Sequence, residues 1–357
     1  MTLILSNEDV EALLTMPECI AALEEAYREL AEGRGVNRTR SDTMTPTTRP
    51  DALYSLKSMD GVVPKLGVGA VRINSDIITW PTRDGNARRE KVPAAPGGRW
   101  VGLVLLFSAE NGEPLAIFPD GVLQRMRVGA TNGLGAKYLA REDSRTVGLL
   151  GSGWQAGGQV MAITSVRSIE RIRCFSPNRE HREAFAEEMS ERVGVEIVPV
   201  DSPEAAVRGA DIVLCATNTL DNIFFERWIE PGMHLTSVKR QEIEAAVVKR
   251  ADRVVLHTRD TSQLTFVAPA LQAPEKALST GWSLADEMDL GALPELADLI
   301  SGRVAGREKP EEVTCFLNNL GMGYQFAAAG AAVYRKAKQL GRGHELPTEW
   351  FTETVHP

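Results

Sequence analysis

The sequence predicts an α/β protein in which a doubly wound parallel domain is set inside a discontinuous α+β domain. Three observations predict it. The apolar run at 146–150 leads into Gly151-Ser-Gly153-Trp-Gln-Ala156 and then a helix-compatible stretch, the strand, glycine turn and helix start of a Rossmann βαβ unit. Strand-like and helix-like segments then alternate as far as His257, as a parallel sheet requires. Residues 36–123 read mostly as β, and an alanine-rich helix at 320–340 can return to them, which makes the first domain discontinuous. The expected division is 1–126 with 315–357 for one domain and 127–314 for the Rossmann domain.

Taken in order, Ser6 or Asn7 caps a first helix, and Met16-Pro17 opens a second that runs to about Glu32. Its apolar face is Ile20, Leu23, Ala26 and Leu30. Strands are expected at 53–59, 66–73, 100–108 and 114–119, the last two joined by a turn at Glu110-Asn-Gly112. The stretch 80–100 between them is charged and rich in Pro and Gly, and reads as a solvated loop or as a cover over a site. A helix with one face of small residues is expected from Arg127 to Ala140. Strands at 171–175, 196–200, 212–216, 235–238 and 253–257 follow, with helices at 179–193 and 202–208.

Composition narrows the class. Apolar content of 43% and charged content of 25% are those of a globular chain, and 357 residues suffice for two domains. A formal net charge of −8 without any basic stripe argues against nucleic acid. The opening MTLILSNEDVEALLTM has neither a basic leader nor a membrane-length apolar run, so no membrane partner is expected. Four separated cysteines without a C-x-x-C pair fit a reduced, cytoplasmic setting. The five histidines show no ligand spacing, and no metal is expected.

The glycine turn carries the chemistry. Gly151 permits a tight turn, Gly153 lets the backbone approach a pyrophosphate, and Ala156 packs the helix onto the strand, with Trp154 and Gln155 inside the turn. The helix N-terminus supplies free N–H groups and partial positive charge. After the second strand the chain reads Ser176-Pro-Asn178-Arg179, without the acid that grips a ribose 2′-hydroxyl. Those side chains favour NADP, with NAD left open by Glu180. Ala216, Thr217, Asn218 and Val238, at later strand tips, belong to the same cofactor crevice.

Several segments together resemble the ornithine cyclodeaminase/μ-crystallin superfamily: Leu123-Gln-Arg-Met-Arg127-Val-Gly-Ala, Lys137-Tyr-Leu-Ala-Arg, the G-x-G-x-Q-A turn, ENGEPLAIFPDG, Pro231-Gly232-Met-His and Val-Thr314-Cys-Phe316. The resemblance spans nearly the whole chain. It implies a substrate-binding domain that dimerises by sheet pairing into a homodimer, and a site between the domains for a small imino, keto or amino acid. It implies that Arg127 and Arg40, with Arg38 as the alternative register, bind the substrate carboxylate. The family's strand lysine falls here on Gly69. Lys57 and Arg72 are the candidates to replace it, Lys57 as proton donor and Arg72 as anion clamp. Cationic residues are so many that a doubly anionic substrate is also expected.

Two acids of the cyclodeaminases are missing, one where His234-Leu-Thr-Ser-Val238 runs into Lys239, the other near Gln325-Phe326. The resemblance with those losses implies an NAD(P)H-dependent reductase of an imino (ketimine) or keto acid, or the reverse amino-acid dehydrogenase. The alternatives are a cyclodeaminase-like ammonia-lyase with bound NAD, and a non-catalytic NADPH-binding protein of the μ-crystallin type.

Overall fold

The alternation of side chains from residue 52 to 79 builds the longest feature of the protein. In the computed structural model, which describes residues 1–83, 86–87, 90–219, 221–239, 242–260, 264–269 and 289–355, the strands Ala52–Val63 and Val68–Thr79 pair antiparallel along their full length. A single 3-10 turn, Pro64–Leu66, joins them, closed by Gly67 at φ 69°. One face of the pair turns Met59, Val63, Val68 and Ala70 into the core. Further along, the same face carries Lys57, Arg72, Asn74 and Asp76, all buried.

The pair is the centre of a ten-stranded sheet, whose main path runs Leu264–Val267, Ser41–Pro46, Ala52–Val63, Val68–Thr79, Val101–Ser108, Pro114–Pro119, Thr2–Ile4 and His344–Leu346. Both chain ends therefore lie in one sheet. Within the stretch 80–100, part of which lies outside the described residues, the strand Glu90–Val92 pairs with residues 77–79 of the Arg72 strand and 93–100 are exposed.

The second sheet has seven parallel strands in the order Glu196–Pro199, Arg171–Phe175, Thr146–Leu150, Ile212–Cys215, His234–Ser237, Thr314–Leu317 and Arg253–Leu256. The order reverses direction between Thr146–Leu150 and Ile212–Cys215, which opens a crevice at their carboxyl ends. All four cysteines are buried and free.

Three expectations shift. The helix expected from Arg127 begins earlier and spans Gly121–Leu139, because Pro119 ends the preceding strand and Asp120 already occupies the cap. The boundary at 126/127 thus falls inside a continuous helix. The boundary at 314/315 falls inside Thr314–Leu317, a strand of the parallel sheet, and Leu264–Val267 leaves the Rossmann segment to join the other sheet. The C-terminal helix starts at Gly323, since 318–322 form a loop between the two sheets.

The helix Gly121–Leu139 holds the two halves together. It crosses Trp154–Val166, the first Rossmann helix, at a contact where a Cβ on Gly129 would stand 2.2 Å from the Gly158 carbonyl oxygen. Only a glycine permits that approach. Gly129→Ala is expected to lower stability by about 1–3 kcal/mol, the usual cost of overpacking, read as a lower denaturant midpoint. An unchanged midpoint would contradict the close crossing.

Candidate active site

The dinucleotide end is built by backbone geometry. Gly151 has φ 119°, and a Cβ there would meet the Ala216 carbonyl oxygen at 2.2 Å, so the turn after Thr146–Leu150 admits only glycine. Gly153 caps the helix Trp154–Val166 with no side chain on the free N–H groups, and space around its Cα is open. Ala156 is fully buried against the sheet, and Gln155 keeps a buried Oε1 without a partner. An uncapped helix start, an open glycine and a strand crevice meeting at one point fit a dinucleotide pyrophosphate. Trp154 is exposed and lies over the Arg125 guanidinium, 4.1 Å from ring centre to Cζ. Arg125 is buried, pairs with no carboxylate among the described residues and adds positive charge beneath this helix start.

The next strand tips are fastened by Glu242, which the resemblance implies to be structural. Glu242 is fully buried and accepts hydrogen bonds from Thr217 N at 2.5 Å, Thr217 Oγ1 at 2.8 Å, Val238 N at 3.0 Å and Lys239 N at 2.9 Å. Burial pushes its pKa up against the pull of these donors. One carboxyl group therefore sets the loops after two adjacent strands, with Ala216 buried and Asn218 exposed beside them. At the tip of Arg171–Phe175, Ser176 bonds Ser152 at 2.8 Å, and Asn178 caps the following helix through His181 N at 2.9 Å. Arg179 is exposed and paired with Glu183 at 2.7 Å, a solvated ion pair that holds it weakly.

The other half of the site is the polar face of the antiparallel sheet. Register places Asp42 beside Lys57, Lys57 beside Asn74, and Met59 beside Arg72. Lys57 Nζ donates to Asp76 Oδ2 at 2.7 Å, and Lys91 Nζ lies 2.9 Å from Asp76 Oδ1. Arg72 Nε donates to Asp120 Oδ2 at 2.7 Å, and Asn74 shares that oxygen at 3.2 Å. Gly102 makes room for this contact, since a Cβ there would stand 2.1 Å from Asp120. Arg40 pairs with Asp42 at 2.5 Å, whereas Arg38 is exposed on Asp60, which favours Arg40 as the residue turned to the site. Gly69 lies on the opposite face, against Val62, so a side chain there would not reach the face that carries Lys57 and Arg72.

Arg127 reaches the same cluster from its helix. It is buried, and among the described residues it forms no ion pair with a carboxylate. Nη1 donates to Gln325 Oε1 at 2.8 Å, and Nε has no partner. The guanidinium groups of Arg127 and Arg72 both lie over the Phe326 ring, 5.0 Å and 5.5 Å from its centre. Burial, and then the charge of Arg72, pulls the Arg127 pKa down to about 9, which leaves it cationic at neutral pH. Gly321, in the loop leaving the parallel sheet, stands against it, so the cluster adjoins the carboxyl ends of the Rossmann strands. Behind it, His257 Nδ1 donates to the Leu320 carbonyl and Nε2 accepts from Tyr27 Oη, both at 2.5 Å. His234 is a core residue at the opposite end of its strand, bonded to Thr314 at 2.9 Å.

Four cationic residues expected at the site thus share one neighbourhood. Arg40, Lys57 and Arg72 each face an aspartate, so among the described residues of this cluster the expected excess of free cations is not found. Arg240 and His356 lie outside the described residues. Asp76, Asp120 and Arg125 escaped sequence reasoning. The acids following Asn74-Ser and Phe118-Pro were the available signal, Asp76 as a charge on the inward face of a strand and Asp120 as the acid directly after an apolar one. Among the described residues no group of three His, Cys, Asp or Glu is placed to hold a metal, and no helix is long and apolar enough to cross a membrane.

Two sheets, a dinucleotide crevice and a cationic cluster facing its mouth define a two-domain Rossmann protein. The chain belongs to the ornithine cyclodeaminase/mu-crystallin family, whose model matches residues 1–341. It is similar to the Δ1-pyrroline-2-carboxylate reductase of Bacillus cereus, with 27% identity over 96% of this chain and 99% of that one. The alanine dehydrogenase of Archaeoglobus fulgidus is 28% identical over 97% and 98%. Among solved structures, Thermococcus litoralis Δ1-pyrroline-2-carboxylate reductase in complex with NADH and L-proline superimposes with a TM-score of 0.78 and 28% identity, over 97% of this chain and 100% of that one.

Gly153 offers a clean test of the dinucleotide site, because nothing lies within 4 Å of a Cβ placed there and its φ of −91° suits any residue. Gly153→Ala is expected to melt within about 0.5 kcal/mol of the wild type. Its affinity for NADH and NADPH, followed by fluorescence titration, should fall about tenfold or more as the methyl meets the pyrophosphate path. Equal affinity would place the pyrophosphate elsewhere.

Proposed function

We propose that the protein is an NAD(P)H-dependent reductase of a small imino acid carrying one carboxylate, working also in reverse as an amino-acid dehydrogenase. The observation that carries the reading is Arg127, a buried guanidinium that forms no ion pair with a carboxylate among the described residues. An anion from solution completes its charge pairing, and its planar fork suits a carboxylate. Arg40, Lys57 and Arg72 are each answered by Asp42, Asp76 or Asp120, so one uncompensated cation among these four supports a singly charged substrate rather than a doubly charged one.

In this reading Gly151, Gly153, Trp154, Gln155 and Ala156 hold the dinucleotide pyrophosphate, and Ala216, Thr217, Asn218 and Val238 line the crevice. When bound, the nicotinamide supplies the hydride. Arg127 fixes the substrate carboxylate, and the Phe326 ring limits where the guanidinium can turn. Arg72, clamped by Asp120, adds positive potential without moving. Lys57 gives its Nζ proton to the substrate nitrogen as the imine becomes an amine. Deamination with ring closure is disfavoured, because the three carboxylates on this sheet face are all engaged by cations and none is free to act as a base.

The lack of an acid at the Ser176–Arg179 tip favours NADP, with the 2′-phosphate met by Ser176, Asn178 and Arg179. The outer face of the large sheet, where Leu56, Val62, Val101 and Leu103 are about 40% exposed, supports a homodimer formed through that face.

The reading is tested with Δ1-pyrroline-2-carboxylate and NADPH. Arg127→Gln is expected to lower kcat/KM about 100-fold with NADPH binding retained, as loss of a charged bidentate contact costs about 3 kcal/mol. Lys57→Met is expected to lower kcat about 100-fold or more with little change in KM. Wild-type behaviour in Arg127→Gln would end the assignment. Direct titration separately decides the cofactor, and tighter binding of NADH than of NADPH would refute the 2′-phosphate reading.

A further inference from the structure

Asp76 links a buried amine to one at the surface. Its carboxylate is fully buried, with Oδ2 2.7 Å from Lys57 Nζ and Oδ1 2.9 Å from Lys91 Nζ. The Lys57 side chain is 5% exposed and that of Lys91 is 44% exposed. Lys91 belongs to Glu90–Val92, the strand by which the excursion at 80–100 docks on the Arg72 strand, so pairing at Ile77–Thr79 delivers its amine to Asp76. A solvated lysine next to a buried ion pair is more than surface decoration, because each catalytic cycle of the reading above leaves that pair short of a proton.

We propose that Lys91 returns the spent proton to Lys57 through Asp76. The inference rests on Lys57 being the proton donor. When the Lys57 Nζ–H bond breaks and the proton leaves with the substrate nitrogen, Asp76 remains as a buried carboxylate facing a neutral amine. A Lys91 Nζ–H bond then breaks as an O–H bond forms at Asp76. The carboxyl group turns about its Cβ–Cγ bond and gives this proton to the free electron pair of Lys57. The neutral Lys91 takes a proton from water. No charge is created in the interior: the buried ion pair is restored, and the uncharged amine ends where solvent reaches it. The other charged groups on this face are already engaged, Asp42 with Arg40 and Asp120 with Arg72, and neither offers a comparable route to water.

Lys91→Arg separates this role from simple anchoring. The guanidinium keeps a positive charge beside Asp76 and holds the strand, but it does not give up a proton near neutral pH. Steady-state reduction of Δ1-pyrroline-2-carboxylate is expected to fall about tenfold in kcat with KM unchanged, and millimolar methylammonium should restore most of the loss. A single turnover with prebound NADPH should proceed at the wild-type rate, since Lys57 starts protonated. Lys91→Met should behave in the same way, with thermal melting and NADPH titration reporting whether either variant is disturbed. Wild-type kcat in Lys91→Arg, or a loss that methylammonium does not restore, overturns the relay. Full turnover in Lys57→Met, or no reduction by the wild type with either cofactor, removes instead the reading on which it rests.

Discussion

Burying the Arg127 guanidinium without a counter-charge is the constraint to which the rest of the site answers. Desolvating a lone cation is costly, and the cost is moderated by Gln325 and by the π face of Phe326. Neither neutralises it. The neighbouring cations could not have been left in the same state, because several uncompensated charges within one low-dielectric space would repel each other strongly. Arg40, Lys57 and Arg72 are each paired for that reason, and the aspartates that pair them fix the sheet face on which a ligand would rest.

That face depends on strand geometry. Two twelve-residue strands in full register keep Lys57, Arg72, Asn74 and Asp76 on one side, and the alternation that buries Met59 and Ala70 is continued by polar residues without a break. The change from apolar to polar along one face is the boundary between core and site. The parallel sheet contributes differently, through strand tips and a glycine turn, and Glu242 substitutes for packing where two loops would otherwise have only backbone to hold them.

Much of this was legible. The glycine turn, the strand and helix alternation and the two capped N-terminal helices depend on local chemistry, and each stands where its residues predict. Arg127 was recognisable from the family's arginine segment, and Lys57 and Arg72 as charged strand residues near the position where the family carries its lysine. Their partners were not, because Asp76 and Asp120 lie 19 and 48 residues away in sequence and meet them only through sheet register and a helix start. The same limit applies to domain boundaries. Thr314–Leu317 looks like the opening of the C-terminal segment, yet its backbone pairs with two Rossmann strands, and no local pattern distinguishes those choices. Gly129 and Gly158 read as ordinary small residues until the two helices are seen to touch.

The helix Gly121–Leu139 begins beside Asp120 on the polar sheet face and ends where its last carbonyls meet Thr314 and Arg307 under the parallel sheet. Nineteen residues at helical rise measure about 28 Å, a rod spanning both halves and locked at its middle by a glycine contact. Such a rod acts as a ruler rather than a hinge. It makes the gap between the two sheets a property of chain length, so residues on either wall can be exchanged without altering how far apart the walls stand.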